Sequence, residues 1–290
     1  MEWQNMREEE FEGAVKTSGG VCIVPIGCVE KHGQHLPVGI DTQVVNQICI
    51  EAAEKEPVVV FPPIYFGDVM GHTIVRGGIM FSAELLLQFL KEITSEIARN
   101  GFKKIIFVSG HGGNPPMLSY FVRSTQHSAK DYVVAWMAPR YTVKSIVADL
   151  DNGEEFPELN DEDIAYLRDF AAKDKLRGHA CVDETSSMLA LHPELVAMDK
   201  VNAESGLPTH RTDYLKETGL LSSTRFWGIE YPNSYQGEAV EGSNERIGRV
   251  LFRKRSDLLA ETCRLLKMDD RILEWNDEWN KRSEWCKPKF

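Results

Sequence analysis

The sequence predicts an α/β protein with a mostly parallel sheet covered by helices on both faces. Three observations carry this. Four short apolar runs, Val21 to Val24, Val58 to Phe61, Ile105 to Val108 and Tyr132 to Trp136, read as buried strands. Single helical stretches separate them, which implies right-handed crossovers and parallel pairing. Two of the runs lead into clusters of His, Asp, Glu and Gly, and in such sheets ligands gather at the C-terminal ends of strands.

The elements follow in order. Asp41-Thr42 opens a helix through Glu54, with Val44, Val45, Ile48 and Ala52 as its apolar positions. Pro62-Pro63 stops the second strand, and Tyr65 to Phe81, rich in Gly and containing His72, is loop by composition. Ser82 caps a helix from Ala83 to Asn100, whose stripe is Leu86, Phe89, Leu90, Ile93 and Ile97; Gly101 ends it. The third strand runs into Ser109-Gly110-His111-Gly112-Gly113-Asn114, and a helix around Met117 to Ser128 precedes the fourth. Residues 140–177 read as an acidic insertion with a turn at Asp149 to Glu155 and one helix, Asp161 to Lys173. The segment Gly178 to Ser186 enters a helix that His192-Pro193 stops. Residues 200–240 show little periodicity and read as surface or interface loops. Glu245 to Met268 is a long amphipathic helix. The tail, with Trp275, Trp279 and Trp285, reads as a surface helix against the body or another subunit. The expected organisation is a single domain, 1–290, with an insertion at 140–177 and a C-terminal helical extension at 269–290.

Composition narrows the function. A chain of 290 residues, 42% hydrophobic, buries a core without covalent staples. Its 33 basic and 44 acidic residues, net charge -11, with no long Lys/Arg run, argue against a nucleic-acid face. Six scattered cysteines without a CxxC pair argue against a disulfide framework. The acidic, polar start is no signal peptide, and no apolar stretch is long enough to span a bilayer, so the expected location is cytoplasmic.

The chemistry begins after the first strand. Glu30, His32 and Asp41 are oxygen and nitrogen donors of the kind that bind zinc or manganese. In an extended segment Glu30 and His32 point to the same side, and Asp41 stands where a carboxylate caps a helix while offering its other oxygen to a cation. Taken alone, the stretch reads equally well as an N-cap with polar loop histidines. His111 in its Gly-rich loop and Glu184 in a first helical turn have similarly plain readings. Three separate segments that all place such donors at strand or helix ends favour a site, with His179 beside it.

Glu30-Lys31-His32-Gly33-Gln34-His35-Leu36-Pro37 with Asp41-Thr42, then Gly110-His111-Gly112-Gly113-Asn114, then His179-Ala180 with Glu184-Thr185-Ser186, together resemble the creatininase (creatinine amidohydrolase) family. The likeness covers roughly residues 15 to 200. It implies a three-layer α/β/α sandwich, a two-metal hydrolytic site and a homo-oligomer, with a hexamer the common form. By position Asp41 would bridge two zinc or manganese ions, Glu30 and His111 would complete one site, and His32 and Glu184 the other. Water held between the ions would attack a cyclic amide or related C–N bond of a small molecule. His179, beside the catalytic carboxylate Glu184, would serve as acid or base, and N–H groups of Gly110 to Gly113 would help hold the oxyanion. Creatininase proper carries an acid where this chain has Gly113, Cys181 and Val182 depart from the third motif, and the late Gly-Asp-Pro-like segment is not recognisable around Tyr231-Pro232-Asn233. The runner-up is ring opening of a cyclic diketone from inositol breakdown (3-dehydro-scyllo-inosose hydrolase-like), served by an uncharged pocket using Asn233 to Gln236. A lower alternative is a non-catalytic metal-binding protein on the same fold. No basic cluster adjoins the motifs, which argues against a phosphorylated substrate.

Overall fold

The computed structural model describes residues 1–69, 74–218 and 224–283. Strands β1 (Val21–Ile26), β2 (Val59–Val60), β3 (Lys104–Ser109) and β4 (Val133–Met137) form one parallel sheet in the order β2-β1-β3-β4. The main helices along the chain are α1 (Phe11–Thr17), α2 (Ile40–Lys55), α3 (Ala83–Arg99), α4 (Asn114–Ser124), α5 (Val143–Asp151), α6 (Asp161–Ala172), α7 (Val182–Leu191), α8 (Thr224–Glu230), α9 (Glu245–Met268) and α10 (Arg271–Ser283).

The side-chain period of two along the central strands builds the layers. Cys22, Val24, Ile26, Ile105 and Phe107 pack with Leu90 and Ile97 of α3 and Leu118 and Phe121 of α4. The alternate residues, Val21, Ile23, Ile106 and Val108, face Val45 and Ile48 of α2 and Phe252 and Leu259 of α9. Both faces of β1 and β3 are buried, which is why these strands read as unbroken apolar runs. The result is the expected α/β/α sandwich, and it sends the C-terminal ends of β1, β3 and β4 to one edge.

Residues 140–177 hold two helices where one was expected. Thr142 caps α5 by accepting from Ser145 N–H at 3.3 Å, and Val143, Ile146, Val147 and Leu150 supply its apolar stripe. Asp149 to Asp151, read as a turn, form its last turn, where Asp149 pairs with Lys254 and accepts from the Tyr141 hydroxyl. The two helices pack Ile146 and Phe170 onto Val182 of α7 and Ile247 and Leu251 of α9. Residues 200–240 are likewise not all loop. They contain α8 and a two-residue strand β6 (Gln236–Gly237), antiparallel to β5 (Arg177–His179). Elements this short show no period in a sequence.

Helix α10 lies beside β4, with the Asn276 and Asn280 amides donating to Lys130 O at 2.7 and 2.8 Å. Trp275 and Trp279 stay more than half exposed. The expectations placed on His72, Trp285 and Cys286 fall outside the described residues. The five described cysteines are free and buried. Among the described residues no helix is long and apolar enough to cross a membrane.

Candidate metal centre

Three segments meet at the C-terminal edge of the sheet. The first leaves β1 and folds back so that Glu30 N–H donates to Val38 O at 3.0 Å, and Glu30 and His32 are fully buried. The second is the start of α2. Its N-cap is Gly39, and Asp41 lies inside the first turn, so the expected capping role falls away: the carboxylate serves its neighbours. Its Oδ1 is 3.1 Å from His32 Nε2 and its Oδ2 is 2.9 Å from His111 Nδ1. The third segment is the loop after β3, where His111 Nδ1 also approaches Glu30 Oε1 at 3.1 Å.

Glu184 reaches in from the first turn of α7, with Oε2 3.8 Å from His32 Nε2 and accepting from Ala180 N–H at 2.5 Å. His179 ends β5. Its ring lies over that of His32, centroids 4.0 Å apart, and its Nδ1 is 3.6 Å from Glu30 Oε1. Each imidazole is aimed by its other nitrogen: His32 Nδ1–H donates to Glu30 O at 3.1 Å, His111 Nε2–H to Asp68 O at 2.8 Å and His179 Nε2–H to Lys31 O at 2.8 Å. The remaining nitrogen of each ring faces the carboxylates, the arrangement that holds histidine ligands on metals. Cys28 also joins, with Sγ 3.2 Å from Asp41 Oδ2; a thiol next to a strand end carries no signal of its own in the sequence.

Carboxylates this close require positive charge. In the metal-free protein, imidazole protons provide it. Burial opposes charge on His32, but Asp41 and Glu184 overcome it and hold the pKa at about 10. Burial likewise opposes charge on His111, and Glu30 pushes it well above its ordinary value. Against burial, His32 and His111 draw Asp41 well below the carboxylate range, and His111 lowers Glu30. Glu184 moves the other way: burial raises it to about 7 although His32 pulls it down. Its side chain keeps 28% exposure, on the cavity side of the centre. Divalent ions would replace those protons, and a donor set of carboxylate oxygens, imidazole nitrogens and one thiol fits zinc or manganese.

The family model for creatininase, creatinine amidohydrolase, matches residues 4–263. This chain belongs to the creatininase family. Creatinine amidohydrolase of Pseudomonas putida is 25% identical over 198 residues, spanning 67% of this chain and 72% of that protein. The mycofactocin precursor peptide peptidase of Mycobacterium ulcerans is 27% identical over 195 residues, 64% of each chain. The 3-dehydro-scyllo-inosose hydrolase of Thermotoga maritima is 32% identical over 91 residues, 31% of this chain and 29% of that one. A mutant creatininase described as Zn-Zn type superposes with TM-score 0.66 at 19% identity, covering 91% of this chain and 96% of that one. A manganese creatininase does so with TM-score 0.66, also at 19% identity, covering 91% and 97%. These relatives make the chain a creatininase-family hydrolase, and the superpositions show the fold.

Where this chain departs from the creatininase pattern, packing explains one difference. At Gly113 a Cβ would lie 2.3 Å from Asp68 O and 2.5 Å from His111 Nε2, so no acid fits there; the acid facing His32 is Glu184. The backbone of this loop is partly committed as well, since Gly110 N–H donates to Ile26 O and His111 N–H to Ser109 Oγ, which removes both from the expected oxyanion role. Asn114, fully buried, donates to Ile26 O and Gly27 O and accepts from Asp68 N–H at 2.9 Å, fixing the carbonyl that aims His111.

A cavity of about 310 Å³ opens beside Asp41, His111 and Glu184, and its wall carries Arg140, Arg177 and Arg255. The absence of a basic cluster near the motifs is therefore corrected: one guanidinium comes from the loop after β4, one from β5 and one from α9, far apart in sequence. Asn233 and Gln236 do not line this cavity. Asn233 Nδ2 donates to Ser205 O, and Gln236 is held between Trp227 Nε1 and the Tyr231 hydroxyl.

Proposed function

We propose that this chain hydrolyses a cyclic amide or a related C–N bond of a small molecule, with Glu30, His32, Asp41, His111 and Glu184 holding two zinc or manganese ions. The supporting observation is the division of Asp41: one oxygen addresses His32, the other His111. When bound, such an ion pair activates water near neutral pH and polarises a carbonyl. The protein's own residues do the rest. Asp41 joins the two halves, with Glu30 and His111 on one side and His32 and Glu184 on the other. His179, fixed by the Lys31 carbonyl and bordered by the Trp227 ring at 5.4 Å, holds a proton at Nδ1 for the leaving group. Glu184, on the cavity wall, places its carboxylate between the centre and the bound guest.

Ring opening of a cyclic diketone is the weaker reading, because the uncharged loop offered for it is engaged elsewhere and the cavity wall is cationic. The deciding measurement is elemental analysis of protein purified without added metal or chelator, beside Asp41→Ala. About two ions per chain, with most of both lost in the variant, support the reading. No stoichiometric metal after controlled reconstitution would sink it, and turnover by the loaded protein separates a hydrolase from a non-catalytic metal binder.

A further inference from the structure

Arginines in this structure generally find acids. Arg253 pairs with Glu158 at 2.6 Å, Arg246 with Asp163 at 2.6 Å and Arg264 with Glu261 at 2.6 Å. That is the expected outcome in a chain with 44 acids against 33 bases. Exposed Arg76, Arg123 and Arg211 also meet no acid among the described residues, but the guanidinia around the cavity gather on one wall. Among the described residues, Arg140 and Arg255 have no carboxylate within 4.0 Å, and Arg177 meets only Asp183, at 3.9 Å.

The contrast is sharpest on α9. Arg253 and Lys254 face the acids Glu158, Asp149 and Glu154. Arg255 turns to the cavity instead, propped by two neutral acceptors, Tyr141 O at 3.0 Å and Ser187 Oγ at 3.2 Å. A guanidinium braced by neutral groups keeps its charge and its remaining N–H donors for a guest. Asp41 and Glu184 belong to the candidate metal centre, which leaves Asp183, accepting from Val143 N–H at 2.8 Å, as the acid outside that centre on a cavity wall with three guanidinia.

We infer that the substrate carries an oxyanion, a carboxylate or a phosphate, which Arg140, Arg177 and Arg255 seat in the cavity that also exposes Asp41, His111 and Glu184. This rests on the metal-hydrolase reading for the reacting end and on the arginines alone for the anion. The anchored group would sit apart from the scissile bond and orient it.

Calorimetry on the protein as purified, with its metal, tests this using two pairs of probes: N-acetylglycine against N-acetylglycinamide, and glycerol 2-phosphate against glycerol. One anion of the two should bind about tenfold tighter than its neutral partner, and whichever does so names the group. Arg255→Gln should remove that preference. Arg140→Gln, on an exposed side chain without hydrogen bonds to the described residues, should weaken it several-fold without risk to folding, and Arg253→Gln should leave it intact. Equal binding of charged and neutral probes, or a preference that survives both cavity variants, overturns the inference. Metal content of the same samples keeps the two readings apart. An arginine-dependent preference in protein that takes up no metal would sustain the anion site while ending the dinuclear one.

Discussion

His35 makes this fold sensitive to acid chiefly through its own burial. The residue is 1% exposed, with Nε2 3.0 Å from Thr185 Oγ1 and its ring 5.3 Å from that of Tyr235. Burial lowers its pKa from 6.5 to about 4, a contact with the Ala180 backbone opposes this, and the charge on His32 adds to it. An unfolded chain takes up this proton as pH falls through 6.5, whereas the folded one refuses it until about 4. His35 therefore contributes stability that is present above 6.5 and lost as pH falls to about 4. At about 1.4 kcal/mol per pH unit, the loss is capped near about 3 kcal/mol. Urea unfolding of wild type and His35→Gln, with chelator present so that metal release adds nothing, isolates it. Between about pH 7 and about pH 4 the wild type should lose about 3 kcal/mol more than the variant. Parallel stability curves would refute the argument, since every other acid-sensitive group is common to both proteins.

Gly113→Asp places a Cβ against the Asp68 carbonyl and the His111 ring, neither of which can yield without moving the centre. It should cost about 2 kcal/mol or more in chemical unfolding and reduce bound metal. Asn114→Ala removes three buried hydrogen bonds; a loss of about 3 kcal/mol is expected, together with weaker metal retention as Asp68 and His111 loosen. For His179→Gln, turnover should fall about 100-fold with metal content kept. Lost metal would instead make His179 a ligand alongside Glu30 and His32, which its Nδ1 position allows.

The sheet and its long helices were legible because buried parallel strands leave unbroken apolar runs and α3 and α9 leave clear stripes. Glu30 and His111 could be put at strand ends for the same reason. What stayed hidden depended on contacts between distant segments. Helix α5 was masked by the acids of its last turn, of which Asp149 meets Lys254 of α9, more than a hundred positions away, and Asp151 meets Arg168 of α6. The capping role suggested for Asp41 was a local rule overridden by His32 and His111, which claim both oxygens. Three arginines on separate elements show no cluster until the chain folds. Likewise, only the backbone carbonyls of Glu30, Asp68 and Lys31 decide which nitrogen of each imidazole faces inward.

Those carbonyls have one more consequence. With Nδ1 of His32 and Nε2 of His111 already donating, the protons that their raised pKa values retain at neutral pH are the ones at His32 Nε2 and His111 Nδ1, against Asp41 and Glu30. Loading the proposed centre would thus be an exchange, in which ions enter and those two protons leave. Uptake should acidify a weakly buffered solution in proportion to the metal taken up, and each step down in pH should tilt the exchange back toward the proton-filled protein.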